Sequence, residues 1–275
     1  MIIALSHRAL IRFSGPDARD LLDDLITASV PENSDDGMRP AALLTPQGRV
    51  LFDLLIGRDG DDILIEVDDS RSAEFTKKMM MYRLRRQVDI SRDDRAVYAV
   101  IDDKCDGDAL ILRDTRFDGD VLRVYSVAAV APDIESDDAW KAYRYRHGVA
   151  EGSAELPPEK ALPLEARLDL NEGINFTKGC YIGQEVTART RYRGLVKRCY
   201  LPVKLAEDVP TPHDISANRK LVGEVFDIVH TQDGIWGMAA IRLDALGGDV
   251  SLTVNDKEIS VHYPERVMPL PDRKK

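Results

Sequence analysis

The sequence predicts an α+β protein whose last third consists almost entirely of β-structure. In the first two thirds, short apolar runs typical of strands alternate with segments whose apolar residues recur at helical spacing. After about Arg193, strand-like runs follow one another and are separated by Gly, Asn and Asp turn signals. Short strands with regular turns are typical of a small barrel or sandwich. We therefore expect a mixed α/β region followed by a C-terminal β unit.

The first part of the chain alternates strands and helices. A helix is predicted after Ser14, because Pro16 and Asp17 suit a first helical turn and an apolar stripe follows. A second helix is predicted from Asp69 to about Gln87, and its methionines 79–81 are interpreted as core filler. The strand candidates are Ile2–Leu5, Ala9–Phe13, Ala41–Leu44, Arg49–Gly57 and Ile63–Val67.

The middle part continues this pattern, and the tail abandons it. Asp137 is expected to cap a helix that carries Trp140, and a proline-marked connection, Glu155–Pro163, follows. The strand candidates are Ala96–Ile101, Ala109–Leu112, Val121–Val127, Cys199–Lys204, Leu221–Val229, Gly234–Ile241, Val250–Val254 and Lys257–Val261.

The charge of the chain is acidic overall and basic in one place. With 38 basic and 48 acidic residues the net charge is −10, which argues against strong nonspecific binding to nucleic acids, DNA included. Between Lys178 and Arg198, however, six cations face the single acid Glu185. This basic stretch indicates either a site for an anionic ligand or a solvated strand face.

The three cysteines, Cys105, Cys180 and Cys199, are too few and too irregular for a disulfide framework. None has the spacing of a zinc ligand, and we predict no metal site. No apolar run approaches the ~18 residues needed to cross a membrane. We therefore expect a cytoplasmic protein in a reducing compartment without a membrane partner.

The octapeptide Lys178–Glu185, Lys-Gly-Cys-Tyr-Ile-Gly-Gln-Glu, carries the strongest functional signal. A cysteine becomes reactive as a thiolate, which a nearby cation or a helix N-terminus stabilises. Here Lys178 supplies the cation, and a helix start is expected at Gly183. Cys180 is therefore predicted to be the reactive group, with Lys178 lowering its pKa. The alternative is that Cys180 is a small buried residue.

This octapeptide and several longer segments resemble the YgfZ family of folate-binding proteins, which are related to the glycine-cleavage T-protein and linked to iron–sulfur cluster maturation. The similar segments are AALLTPQGRVLFDLL, WKAYRYRHGVAEG, ALPLEARLDLNEGINFTKGCYIGQE, KLVGEVFDIV and WGMAAIRLD. The resemblance implies a T-protein-like ring of two ferredoxin-like α+β subdomains and a C-terminal β-barrel. The implied boundaries are 1–95, partly interleaved with the next subdomain, then 96–195 and 196–275.

The resemblance also implies tetrahydrofolate as cofactor, held in the central channel of the ring. Tyr181 either stacks on this flat ligand or packs in the core. Glu185, with Gln184, either bonds the amino groups of the pterin or caps a helix. Three arginines recur at every second position and would share one face of an extended segment, either to bind an anion or to pair with neighbouring acids. They are Arg189, Arg191 and Arg193.

One departure from the T-protein pattern bears on catalysis. Where T-proteins carry two successive acids after the Gly48 turn, this chain has Phe52 and Asp53. A phenyl ring cannot act as a base, and strand alternation turns Asp53 to the opposite face. Aminomethyl transfer is therefore not expected, and Asp53 remains only as a candidate folate contact.

We accordingly expect a folate-binding accessory protein that supports assembly or repair of [4Fe–4S] clusters through Cys180. Its partners would be iron–sulfur assembly proteins or client enzymes. One alternative is a tetrahydrofolate-dependent one-carbon transferase, with tRNA modification as a possible setting. The other is a binding scaffold without chemistry, in which the octapeptide only docks a partner.

Overall fold

The computed structural model describes residues 1–34, 37–103, 108–128, 130–134, 136–247 and 251–271. Cys105 and the predicted strand start at Val250 lie outside this part of the chain. The α-helices within it are α1 (Ala18–Asp23), α2 (Asp69–Arg83), α3 (Asp137–Arg146), α4 (Gly152–Glu155) and α5 (Gln184–Tyr192).

The strands of the described residues fall into three sheets. They are β1 (Ile2–Ala4), β2 (Arg8–Ser14), β3 (Arg39–Leu44), β4 (Val50–Asp59), β5 (Asp62–Asp68), β6 (Asp89–Asp93), β7 (Ala96–Ile101), β8 (Leu110–Arg113), β9 (Val121–Ser126), β10 (Arg198–Leu205), β11 (His213–Ala217), β12 (Lys220–Thr231), β13 (Gly234–Arg242), β14 (Leu252–Val254), β15 (Lys257–Glu258) and β16 (Ser260–Val261).

The first sheet is antiparallel with strand order β3-β4-β5-β2-β6, and α1 and α2 pack on one of its faces. Its alternating pattern directs Phe52 into the core, where the ring meets Phe75 of α2 edge to face at 5.3 Å between centroids. Leu21 and Leu22 of α1 close the same core.

The strands of the second and third sheets follow those of the first along the chain, except that β1 belongs to the second sheet. The second sheet has the order β1-β7-β9-β8, so the N-terminal strand crosses over to pair with β7. Trp140 of α3 fills its core. The third sheet, β15-β14-β11-β12-β13-β10-β16, begins at Arg198 and is built around the long β12–β13 hairpin. The predicted α+β class with a β-rich C-terminal unit is confirmed.

Some sequence-based expectations need correction. The first helix begins after Asp17 and ends at Asp23, so Ser14 belongs to β2. The strands β6 and β11 were not predicted, because short polar runs such as Asp89–Asp93 lack an apolar pattern. The interpretation of methionines 79–81 as core filler is right for Met79 alone, since its two successors are exposed. No helix in the described ranges is long and apolar enough to cross a bilayer.

Between the first two sheets lies a group of fully buried charges, here called the buried ionic cluster. Glu151 is its centre: its carboxylate lies 2.7 Å from Arg116, 3.0 Å from Arg123 and 3.4 Å from Arg144. Burial alone would raise the pKa of Glu151, but these guanidiniums and that of Arg8 hold it well below the usual value. The members are Arg8, Glu66, Asp114, Arg116, Arg123, Arg144, Glu151 and Glu155.

Candidate functional site

One asparagine organises the loop that carries Cys180, residues 175–183, here called the Cys180 loop. The side-chain oxygen of Asn175 accepts hydrogen bonds from the backbone N–H groups of Thr177 (2.8 Å) and Lys178 (2.9 Å). Its amide nitrogen donates to the Ser29 hydroxyl at 2.7 Å. This is the local pairing that lets asparagine replace backbone partners in a turn. The loop is thereby both folded on itself and attached to the chain after α1.

Lys178 attaches the same loop a second time. Its ammonium donates to the carbonyl oxygens of Ile26 and Ala28, both at 2.7 Å, and lies 3.7 Å from a carboxylate oxygen of Asp23. Burial lowers the pKa of Lys178 to about 8, although Asp23 opposes the shift. The hydrogen bonds of the amine are thus directed into the protein. The expected role of Lys178 in lowering the pKa of Cys180 therefore stays a prediction, and its observed contacts anchor the loop.

After Cys180, two glycines allow the start of α5 to contact the β3–β4 turn. Gly183 has φ +81°, and a β-carbon there would lie 2.7 Å from the Thr45 carbonyl oxygen. Gly48, in the turn itself, has φ +72° and would bring a β-carbon to 3.0 Å from Val186. Only glycine adopts this backbone without strain and leaves room for the approach. Two separate sequence segments, TPQGR and KGCYIGQE, are therefore halves of one contact.

Cys180 and Tyr181 face different environments. The Cys180 thiol is exposed, which contradicts the alternative of a small buried residue. Tyr181 is only 6% exposed, its ring lies 5.1 Å from the Lys178 ammonium, and burial raises its pKa to about 12. Its hydroxyl has no hydrogen-bond partner within the described residues. The loop thus presents the sulfur to solvent and holds the neighbouring ring inside.

The three arginines do not form the ladder that an extended segment would give. Arg189 and Arg191 belong to α5, and Arg193 is its C-terminal cap. In a helix, residues two apart point about 200° away from each other, so Arg191 faces away from Arg189 and Arg193. The prediction that the three arginines share one face assumes the two-residue period of a strand. The helix start predicted at Gly183 indicates the 3.6-residue period of a helix instead.

Arg191 instead lines a cavity beside the Cys180 loop. Its guanidinium lies 3.9 Å from the ring centroid of Phe176, and Tyr192 meets that ring edge to face. Asn175, Arg39 and Glu172, whose carboxylate pairs with Arg39 at 2.8 Å, contribute polar groups to the same cavity, whose volume is about 440 Å³. Cation, amide and aromatic faces together suit a small anionic ligand with a flat ring.

Phe52 and Asp53 are separated by the pleat, as expected. The Phe52 ring is buried in the core of the first sheet with the Arg71 guanidinium 4.1 Å above it. Asp53 accepts a hydrogen bond from the Gly152 N–H at 2.9 Å and lies 3.7 Å from Arg8. Its partners are therefore at the start of α4 and in the buried ionic cluster, and none of them belongs to the Cys180 loop.

The expected folate contacts do not line a common cavity. Glu185 lies in the first turn of α5 and is exposed, Gln184 is half-buried, and Asp53 has its own backbone partner. Of these expected contacts, only Arg191 lines the cavity beside the Cys180 loop. The contacts expected from the sequence thus do not form one folate site, although the cavity that Arg191 lines suits a small anionic ligand. Across the described ranges, no group of three His, Cys, Asp or Glu side chains is arranged to hold a metal ion.

Two residues that shape this site are not predicted from the sequence. Asn175 and Phe176 were quoted only as part of a resembling segment. The signal for Asn175 was present, because asparagine is a residue whose side chain commonly bonds the backbone two residues further on in a turn. Phe176 had no such signal, since its partner Arg191 meets it only through the tertiary fold.

Three curated relatives have the same description. The mouse protein "Iron-sulfur cluster assembly factor IBA57, mitochondrial" is 30% identical over 93% of this chain and 81% of its own length. The human protein of the same name is 34% identical over 75% of this chain and 67% of its own. A Pyricularia oryzae homologue is 37% identical over 76% of this chain, which spans only 58% of that protein.

Comparison at the level of fold agrees with this. The glycine cleavage system aminomethyltransferase T from Bartonella henselae superposes with a TM-score of 0.76 at 15% identity, covering 95% of this chain and 84% of the other. The family described as "CAF17, C-terminal beta-barrel domain" matches residues 197–269. The predicted T-protein-like fold with a C-terminal β-barrel is therefore confirmed.

Two predictions change in consequence. The expected cytoplasmic location is contradicted, because the named relatives are mitochondrial. The argument from free cysteines identifies a reducing compartment and does not distinguish one such compartment from another. The narrower YgfZ assignment is not confirmed, although the T-protein-like fold that it implied is found. With two mammalian relatives matched over at least two thirds of their length, the chain belongs to the CAF17/IBA57 family.

Proposed function

We propose that this protein is, like its named relatives, a mitochondrial iron–sulfur cluster assembly factor, and that it acts through the thiol of Cys180. The single observation that carries the proposal is an exposed cysteine on a loop that is fixed on both sides. Before Cys180, Asn175 and Lys178 attach the loop to the chain after α1. After it, Gly183 rests on the β3–β4 turn. Reactive groups held on rigid supports are typical of functional sites.

The chemistry of the site suits transient handling of iron or sulfur. Iron–sulfur clusters are held by several cysteine thiolates, usually four. Cys180 is one thiol, and the described residues offer no group of three ligands around it. We therefore propose that the other ligands come from a partner protein, and that Cys180 completes the coordination during transfer. A [4Fe–4S] client is the more specific form of this proposal.

The experiment is complementation of cells that lack IBA57. The chain, directed to mitochondria, should restore the activity of a [4Fe–4S] enzyme in those cells, measured per amount of enzyme polypeptide. An enzyme that contains no cluster is the control, and its activity should not change. Failure to restore the cluster enzyme while the chain accumulates as folded protein would contradict the proposed function.

Folate binding is a second proposal, which the cavity beside the Cys180 loop favours. Its guanidinium and aromatic faces, Arg191 with Phe176 and Tyr192, suit a carboxylate-bearing ligand with a flat ring. Calorimetry with tetrahydrofolate is the direct test, on the wild type and on Arg191→Ala. We expect binding to the wild type and weaker binding to the variant. Turnover of a methylene- or methyl-tetrahydrofolate with an amine acceptor would instead support the one-carbon transferase alternative.

A further inference from the structure

The C-terminal end of α2 carries a stripe of exposed apolar side chains. Lys77, Met80, Met81 and Leu84 recur at the spacing of one helical face. Met80 is 48% exposed, Met81 69% and Leu84 83%, whereas the preceding Met79 is fully buried. We call Lys77, Met80, Met81, Leu84 and Arg85 the α2-end surface. The helix therefore has two apolar faces, and only the inner one meets the core.

Leu84 is an unusual residue for its position. It caps α2 with φ +51° and ψ −113°, a left-handed backbone that glycine adopts without strain and that is disfavoured for leucine. Its side chain is almost wholly exposed, so no packing in the described fold offsets that strain. A strained backbone that presents an exposed apolar side chain is typical of residues that act in recognition.

The charge around this stripe specifies its partner. The ten residues 77–86 contain five cations and no acid, in a chain whose net charge is −10. Arg83 bonds the Val88 carbonyl and Arg86 pairs with Asp24, whereas Lys77 and Arg85 are exposed and have no partner within the described residues. Free cations that flank methionine and leucine side chains complement an acidic segment with apolar residues of its own.

Two adjacent residues at the end of α1 contact the segment that follows α2 and the Cys180 loop. Asp24 pairs with Arg86 on one side, and Asp23 lies 3.7 Å from the Lys178 ammonium on the other. These contacts are the basis on which a partner bound at the α2-end surface is placed near the loop that carries Cys180.

We propose that the α2-end surface docks an acidic, amphipathic helix of the partner protein that exchanges iron or sulfur with Cys180. The docking rests on its own residues, and only the identification of the occupant as the exchange partner rests on the proposed function. Lys77 and Arg85 pair with the acids of that helix, and Met80, Met81 and Leu84 cover its apolar face.

The test uses the full chain and a defined probe. The probe is a fluorescein-labelled 18-residue peptide with leucines at helical spacing and glutamates elsewhere, and its binding is followed by anisotropy at low and at physiological salt. Wild type should bind this peptide more tightly than a version with the same composition and scrambled order. Lys77→Glu combined with Arg85→Glu, and separately Leu84→Gly, should each weaken binding about tenfold.

Leu84→Gly separates docking from folding. Glycine suits the left-handed backbone, so this variant should be at least as stable in urea as the wild type while binding the peptide less tightly. Cys180→Ala should bind like the wild type, so loss of the proposed chemistry would leave this result intact. Equal binding by wild type and variants, or no preference over the scrambled peptide, overturns the proposal. Binding of vesicles of phosphatidylcholine and phosphatidylglycerol in place of the peptide overturns it in favour of a membrane.

Discussion

The buried ionic cluster and the Cys180 loop both concentrate polar chemistry, in opposite ways. In the cluster, every charged member is buried, and Glu151 is enclosed by guanidiniums at 2.7–3.4 Å. In the loop, buried groups serve as anchors and one group, the Cys180 thiol, is left in solvent. The comparison shows that a strong pKa shift does not by itself identify the functional group here: arginines that pair with Glu151 hold its pKa low, whereas the candidate reactive group is the exposed Cys180 thiol.

The largest effect is expected where a buried charge loses its partner. Glu151→Ala removes a carboxylate that Arg116 and Arg123 share and leaves the four arginines of the cluster with three acids, so it should lower the free energy of unfolding by about 3–5 kcal/mol. Urea denaturation measures this loss. Glu172, which pairs with Arg39 at the surface, is the matched control, and its replacement by alanine should cost about 1 kcal/mol or less. Equal losses for both variants would show that the cluster is not a structural centre.

A smaller effect tests whether the loop is held as described. Gly183→Ala places a methyl group 2.7 Å from the Thr45 carbonyl oxygen at a positive φ, and should cost about 1–3 kcal/mol. It should also change the rate at which iodoacetamide alkylates Cys180, because α5 must shift. Gly179→Ala is the control, since a β-carbon there meets nothing within 4 Å. If the Gly179 variant were the more damaging one, the contact between α5 and the turn would not position the loop.

The smallest effect concerns the proton on Lys178. Its pKa in the folded protein is about 8, below the 10.5 of a free lysine, so between these values the unfolded chain binds one more proton than the folded one. The free energy of unfolding of the wild type should therefore rise with pH from about 8 to 10, relative to Lys178→Met, by at most about 1.4 kcal/mol per pH unit. Urea titrations of both proteins at several pH values measure the difference. A difference that is independent of pH contradicts burial of the ammonium.

Much of the fold was predictable because its signals are local. The β3–β4 turn, the β12–β13 hairpin and the helix after Asp68 each have turn or cap residues next to an apolar pattern. The octapeptide also identified the loop that exposes Cys180. By contrast, the contact of Gly48 with Val186 joins residues that are 138 positions apart, and no local signal indicates it.

The errors have physical causes of the same kind. Arginines at every second position fit a strand or a helix equally well, and only the cap at Gly183 decides between them. Met80 and Met81 are apolar and were assigned to the core, but their spacing from Phe75 and Met79 places them on the other side of α2. The prediction of the compartment rests on thiol chemistry, which indicates a reducing environment and does not identify the organelle.

The most direct test of the central claim compares two thiols in the complementation experiment. Cys180 is exposed, whereas Cys199 is fully buried and burial raises its pKa to about 11. Cys180→Ala should unfold in urea like the wild type and yet restore no [4Fe–4S] enzyme activity. Cys199→Ala should lose about 1 kcal/mol of stability and restore the activity. Full activity of Cys180→Ala would contradict the account and leave the octapeptide as a docking element without chemistry.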